Sequence, residues 1–345
     1  MKAVVTSPIC PLMLRPSHQC ERADEALFGM ELEVLENCGG GWHLVRAPYR
    51  YEGYAHEDCL LFGEGNARRW AVAPKRVVLK GICDVQAAPL VQSWALATLT
   101  QGALVSPVGE PKEGGWQKVS LPDGREGYTK SSFLGEYYKK PASADENTLR
   151  ERLAAAALSY LGTHYRWGGK TPMGIDCSGL TAMSYLLNGV TIYRDAHIKE
   201  GFPLHEIPFE QLKKGDLIFF PGHVALYLGE GKYIHSTAYN GSDGVVINSL
   251  NPHPPEYRSD LPEKIPPGAP LFAAKTPPPL PLGGAGAPVY RHIFRAAFLH
   301  LFSRRTLLSV IGTFGKQIKA MDGQFQLSFQ HGILDVQMDN LLYLV

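Results

Sequence analysis

No run of eighteen uncharged apolar residues occurs anywhere in the 345-residue chain, so no membrane-spanning helix is expected. A leader peptide is not expected either. Met1-Lys2 is followed only by Ala3-Val4-Val5 before Thr6-Ser7-Pro8, far short of an apolar leader core. Charge of one sign is not in excess: 34 Lys and Arg face 33 Asp and Glu. A nucleic-acid partner therefore has no electrostatic support. The six cysteines (Cys10, Cys20, Cys38, Cys59, Cys83, Cys177) form no C-x-x-C pair, which excludes the common zinc and thioredoxin-like patterns. With no export signal they are expected as reduced thiols in a cytoplasmic protein. Gly39-Gly40-Gly41 has no Lys-Ser/Thr and helix after it, so it is a turn and not a phosphate loop.

Apolar residues are plentiful, at 45%, with 10% aromatics, so the chain can bury cores and is not mostly disordered. Gly 36 and Pro 26 favour turn-rich β structure, and the length suits two or three domains. An internal repeat organises the first part. Gly40-Gly41-Trp42-His43-Leu44-Val45 and Gly114-Gly115-Trp116-Gln117-Lys118-Val119 stand 74 residues apart. The same offset joins Pro48 to Pro122, Glu52 to Glu126, Gly53 to Gly127 and Tyr54 to Tyr128. In each unit a Trp-x-x-Val strand passes through a Pro/Gly turn to a Gly-Tyr strand, with the tryptophans expected in the core. This pattern resembles bacterial SH3-like domains, which implies two small β-barrels over about residues 1–70 and 71–140.

Next, Ser143-Ala144-Asp145-Glu146 reads as a helix start with Ser143 as cap, and the alanine-rich run from Leu149 to Leu161 as its body, closed by Gly162. An aromatic glycine loop, Thr163 to Lys170, leads to Gly174-Ile175-Asp176-Cys177-Ser178-Gly179-Leu180. Leu180, Met183 and Leu187 have helical spacing, which sets Cys177 at a helix N-terminus between small neighbours. Free amides and the helix dipole there are expected to lower a thiol pKa and to hold an oxyanion. A cysteine nucleophile needs a base and a group to orient it. His223-Val224-Ala225-Leu226-Tyr227-Leu228 and Tyr233-Ile234-His235-Ser236-Thr237 read as neighbouring strands across a Gly-rich turn, bringing the two histidines within reach of each other.

Tyr165-x-Trp167-Gly168-Gly169, Asp176-Cys177-Ser178-Gly179, Gly215-Asp216-Leu217, Gly222-His223-Val224-Ala225 and Tyr233-Ile234-His235 together resemble the NlpC-type cysteine peptidases. The resemblance implies an α+β, papain-like catalytic domain over 141–275. With the two preceding repeats, it is most similar to members that hydrolyse the γ-D-glutamyl-L-diamino acid bond of murein peptides. It implies Cys177 as nucleophile, His223 as base and His235 as orienting group. It implies further that Tyr165 lines the oxyanion and that Asp176 and Ser178 hold the D-glutamate. Arg194 and Asp195 match an Arg-Asp-Ser stretch whose Asp meets the free amine of L-Ala. Here Ala196 replaces the Ser, removing one hydrogen bond worth about 1 kcal/mol. From the first repeat, Tyr54 and Glu25 are the expected remainder of the amine site, in an acidic loop that also holds Glu21 and Asp24. A murein peptide is the implied partner, with no metal or organic cofactor. Two rivals are a hydrolase or amidase acting on intact peptidoglycan and a non-catalytic wall-peptide-binding protein. Twelve of the 26 prolines fall between Pro252 and Pro288. Residues 276–345 therefore read as a Pro-rich linker and a basic tail, with a basic amphipathic helix over Val289–Met321 as the other possibility.

Overall fold

The computed structural model describes residues 1–252, Tyr257, Arg258, Asp260, Leu261 and the strands Phe272–Lys275, Ile318–Met321, Gln324–Phe329 and Gly332–Val336. The chain divides into two units, Met1–Leu280 and Pro281–Val345.

The repeat is realised as two seven-stranded antiparallel sheets with the same strand order. The first runs Arg22–Leu27, Ile9–Met13, Glu52–His56, Trp42–Arg46, Glu31–Gly39, Lys2–Val5, Leu60–Leu61. The second runs Ala95–Thr100, Ile82–Gln86, Glu126–Lys130, Trp116–Ser120, Leu104–Pro107, Arg76–Val78, Leu134–Glu136. Matching Trp-led strands pair with matching Gly-Tyr strands, Val45 opposite Gly53 and Val119 opposite Gly127. Of the two repeat tryptophans only Trp42 is buried. Trp116 is half-exposed under the ammonium of Lys130, 4.0 Å from its ring, so the expectation that both are core holds for the first alone. A helix, Glu64–Val72, joins the sheets, and its Trp70 indole donates to the Gly29 carbonyl at 2.7 Å.

The helix Glu146–Leu158 is alanine-rich and buries Leu149, Leu153, Ala154 and Ala157 on one side. Its cap is Asp145, whose carboxylate accepts from the Thr148 amide at 2.8 Å. Ser143 is two residues too early and accepts from the Asp145 amide instead. A carboxylate beside the unpaired first-turn amides also meets the positive end of the helix, which favours Asp over Ser there.

A six-stranded sheet follows, ordered His205–Ile207, Phe272–Lys275, Leu217–Phe220, His223–Gly229, Lys232–Thr237, Gly244–Ser249. The helix Cys177–Leu186 packs on it. Leu180 and Met183 share a core with Leu217, Val224, Leu226 and Ile234, and that core continues into Leu12, Leu27, Leu32 and Val45 of the first sheet. Each such fully buried aliphatic side chain contributes roughly 1.5–3 kcal/mol of transfer free energy. The first sheet and the last one therefore share an interior, whereas the second sheet closes mainly around its own Val78, Val85, Leu99, Val105 and Val119.

In the second unit, Ile318–Met321, Gln324–Phe329 and Gly332–Val336 form a three-stranded antiparallel sheet. The end of the Val289–Met321 segment is thus strand, and the remainder of the expected linker and basic tail lies outside the described residues. Among the described residues no helix is long and apolar enough to cross a membrane, and no cluster of His, Cys, Asp and Glu could hold a metal ion.

Candidate active site

Cys177 is the first residue of its helix, and Asp176 is the cap. One Asp176 oxygen accepts from the Gly179 amide at 2.6 Å and from Arg194 Nη1 at 3.0 Å. The other accepts from the Gly168 amide at 2.8 Å and from Arg194 Nη2 at 3.0 Å. The aromatic loop also presses on the helix start, since a Cβ on Gly179 would lie 2.1 Å from the Gly169 carbonyl oxygen. Only glycine lets the aromatic loop pass so close to the turn that carries the thiol.

Position at the helix terminus leads to the expectation of a lowered thiol pKa. The structure reverses it. Burial, then the Asp176 carboxylate, push Cys177 up to about 11, against the amides of Val224 and Ser178 and the charge of Arg194. Desolvation of a mostly buried thiolate outweighs a few amide dipoles. The group is a thiol at neutral pH until a base takes its proton.

His223 and His235 meet as expected, His223 Nε2 lying 2.7 Å from His235 Nδ1 with the rings nearly perpendicular. Burial pushes His235 down to about 4, so it is neutral near pH 7. Its Nε2 lies 2.7 Å from Asn248 Oδ1. Tyr165 is half-buried beside Cys177 and Asp176, and burial raises its pKa, which keeps its hydroxyl a donor. Ser236 Oγ donates to the Ile175 carbonyl at 2.6 Å, tying the His235 strand to the residue before the cap.

Arg194 is fully enclosed. Besides gripping Asp176, it donates to Ser178 Oγ at 2.7 Å and to Asp24 Oδ1 at 2.6 Å. Asp24 in turn accepts from Lys170 Nζ at 3.0 Å and from the Tyr49 hydroxyl. Two carboxylates and two cations thus neutralise one another in the interior, with hydrogen bonds on every arm, as buried charges require. Burial pushes Lys170 down to about 8 in spite of Asp24.

Of the residues expected at the amine site, Asp195 is half-buried and accepts from the Tyr51 hydroxyl at 3.0 Å. Tyr51 lies in the first sheet's module, three residues before Tyr54. Tyr54 sits in the strand Glu52–His56 opposite Leu44 and Met13, and its place at Asp195 is taken by Tyr51. Glu25 is fully buried and already engaged by Arg22 Nη1 at 3.1 Å, Arg166 Nη2 at 3.3 Å and the Lys170 amide at 3.1 Å. It fastens the first module to the aromatic loop, whose Trp167 indole also donates to Glu21 at 2.7 Å. Asp176 and Ser178, expected at the D-glutamate, are bound to Arg194 and to the helix start. Sequence reasoning passed over Asp24 as a partner of Arg194, and also Tyr49, Lys170, Tyr51 and Asn248. Only Asn248 had a local signal, as the lone amide in the run Val245-Val246-Ile247-Asn248.

A buried thiol at a capped helix start, met by the Val224 amide of the strand that begins with His223, can attack a carbonyl carbon if an imidazole takes its proton. Comparison with known proteins points the same way. The pattern of the NlpC/P60 family matches residues 162–259. Dipeptidyl-peptidase 6 of Lysinibacillus sphaericus is 41% identical over 263 residues, 76% of this chain and 96% of that protein. The γ-D-glutamyl-L-lysine dipeptidyl-peptidase of Bacillus subtilis is 35% identical over 135 residues, 36% of this chain and 42% of that protein. The crystal structure of an NlpC/P60 family protein from Bacillus cereus superposes with a TM-score of 0.65 at 22% identity, covering 80% of this chain and 99% of that one, which shows a shared fold.

Proposed function

This chain belongs to the NlpC/P60 family and is a cysteine peptidase, and from that premise we propose that it hydrolyses the γ-D-glutamyl-L-diamino acid bond of murein peptides carrying a free N-terminal L-Ala. The observation that carries this reading is Asp195, a half-buried carboxylate met by Tyr51 from another module beside the Cys177 helix. A peptide ammonium needs such a compensating charge once it leaves water. The names of the relatives, a dipeptidyl-peptidase and γ-D-glutamyl-L-lysine dipeptidyl-peptidases, support the bond class.

In the proposed mechanism Cys177 Sγ attacks the γ-carbonyl carbon of D-glutamate while His223 takes the thiol proton. The neutral Tyr165 hydroxyl and the helix-start amides face the oxygen that gains charge. His223 returns its proton to the leaving amine as the C–N bond breaks, leaving a thioester. Water then attacks the thioester, again losing a proton to His223, and the Cys177 thiol is restored as L-Ala-D-Glu departs. His235 orients the base without itself changing charge.

We read the two N-terminal sheets as SH3-like barrels, a reading supported by their shared strand order and the 74-residue repeat, and the first would wall the cleft beyond the L-Ala position. Peptides still attached to glycan lack a free amine and would be rejected there, which suits recycling of released peptides in the cytoplasm. The test is hydrolysis of L-Ala-γ-D-Glu-diaminopimelate against the same peptide acetylated on its amine. Cleavage of the free peptide alone is expected. Cleavage of both at similar kcat/KM would move the enzyme toward intact peptidoglycan, and cleavage of neither would leave the substrate assignment without support.

A further inference from the structure

The strand Gly244–Ser249 carries a buried amide whose placement follows from register. His235 lies opposite Val246, so Asn248, two residues on, is its diagonal neighbour on the same face of the sheet. Asn248 Oδ1 is 2.7 Å from His235 Nε2, and His235 Nδ1 is 2.7 Å from His223 Nε2. An amide oxygen can only accept, whereas a neutral imidazole has one N–H and one lone pair. Nε2 of His235 must therefore hold the hydrogen, and Nδ1 the lone pair. His223 must then donate through its own Nε2, and in its neutral form the lone pair is left on Nδ1.

We propose that Asn248 is a positioning residue that sets the tautomers of both imidazoles in series and so makes His223 Nδ1 the basic nitrogen. The inference rests on the reading of Cys177 as nucleophile and His223 as base. It also makes His235 a fixed acceptor and not a proton relay. Its surroundings keep it so: burial disfavours its cation, Arg258 adds to this, and Asn248 and Asp260 oppose it without reversing it. Without an acceptor at Nε2, His235 is free to carry its hydrogen on Nδ1. His223 would then have to accept at Nε2 and hold its hydrogen on Nδ1, the nitrogen that should take the thiol proton. In a serine triad a base locked in the wrong tautomer loses about 10⁴-fold in kcat, the upper bound for this case.

The test compares the full-length wild type with Asn248→Ala and Asn248→Asp on L-Ala-γ-D-Glu-diaminopimelate from pH 5 to 10. For Asn248→Ala, kcat is expected to fall at least about 10²-fold at every pH, with KM within about threefold, because the residue acts on the base and not on binding. Asn248→Asp keeps an acceptor, but its charge favours protonated His235, whose Nδ1 can no longer accept. That variant should be slow in acid and recover as pH rises. An alanine variant within threefold of wild type, or two variants sharing one pH profile, would overturn the proposal. The ¹⁵N shifts of the ring nitrogens in the wild type decide it even if a variant does not fold. Nε2–H on both His223 and His235 is expected, and Nδ1–H on either overturns it. An inactive wild type would remove the substrate assignment and leave the tautomer result standing, which separates the two failures.

Discussion

Cys177 illustrates how two effects at one atom are ranked. The helix start offers amides that favour a thiolate, yet burial and Asp176 win and the group rests as a thiol. Reactivity is therefore conditional on the imidazole pair. In the proposed reading Asp195, held by the Tyr51 hydroxyl, is the group that meets the substrate amine. Asp195→Asn should raise KM for the free-amine peptide by about 10–10²-fold, the worth of a charged hydrogen bond, with kcat little changed. Tyr51→Phe should shift KM the same way but by less than tenfold, since it removes one neutral donor and not the charge. Steady-state kinetics on both variants checks this. An unchanged KM in Asp195→Asn would remove it from the amine site.

At the level of single elements, the Cys177–Leu186 helix depends on what happens at its first turn. Asp176 caps it, Arg194 braces the cap, and Gly179 allows the Gly169 carbonyl to lie where a side chain would be. Gly179→Ala is expected to force the turn away from the loop. An overpacked contact of this kind costs roughly 1–3 kcal/mol. The displaced thiol should cost a further factor of about 10² in kcat/KM. Urea unfolding and kinetics on the same variant separate the two effects. A folded variant with wild-type kcat/KM would show that the loop yields instead of the helix.

For the molecule as a whole, the first module is joined to the catalytic sheet by charge as well as by a shared core. Asp24 comes from the first sheet, and Arg194 and Lys170 from segments flanking the Cys177 helix. Asp24→Ala leaves enclosed Lys170 without its carboxylate and Arg194 with Asp176 alone, and should cost about 3–5 kcal/mol in urea unfolding. The pH dependence has a definite sign. Burial would raise the Asp24 pKa, but Lys170 and Arg194 hold it below its ordinary 3.8. Its contribution is therefore complete above pH 3.8 and is lost as pH falls through the lower folded value. The stability difference between wild type and Asp24→Ala should shrink in that acid window. A gap of under 1 kcal/mol at pH 7 would show that Asp24 contributes nothing to joining the modules.

Much of this protein could be read from contiguous residues. The 74-residue repeat became two sheets of one topology, Asp176-Cys177 became a capped helix start, and Gly222-His223 and Tyr233-Ile234-His235 became adjacent strands. Caps, turns and strand alternation act over a few residues, so local sequence is enough for them. Contacts between distant segments were not legible in the same way. Tyr51 meets Asp195 across 144 positions and Asp24 meets Arg194 across 170, and no periodicity or spacing selects either over Tyr54 or Glu25. The thiol pKa departs from what the helix terminus alone implies for the same reason. A helix terminus is a local feature, but desolvation is set by everything that packs around it, and that exists only once the modules have closed on one another.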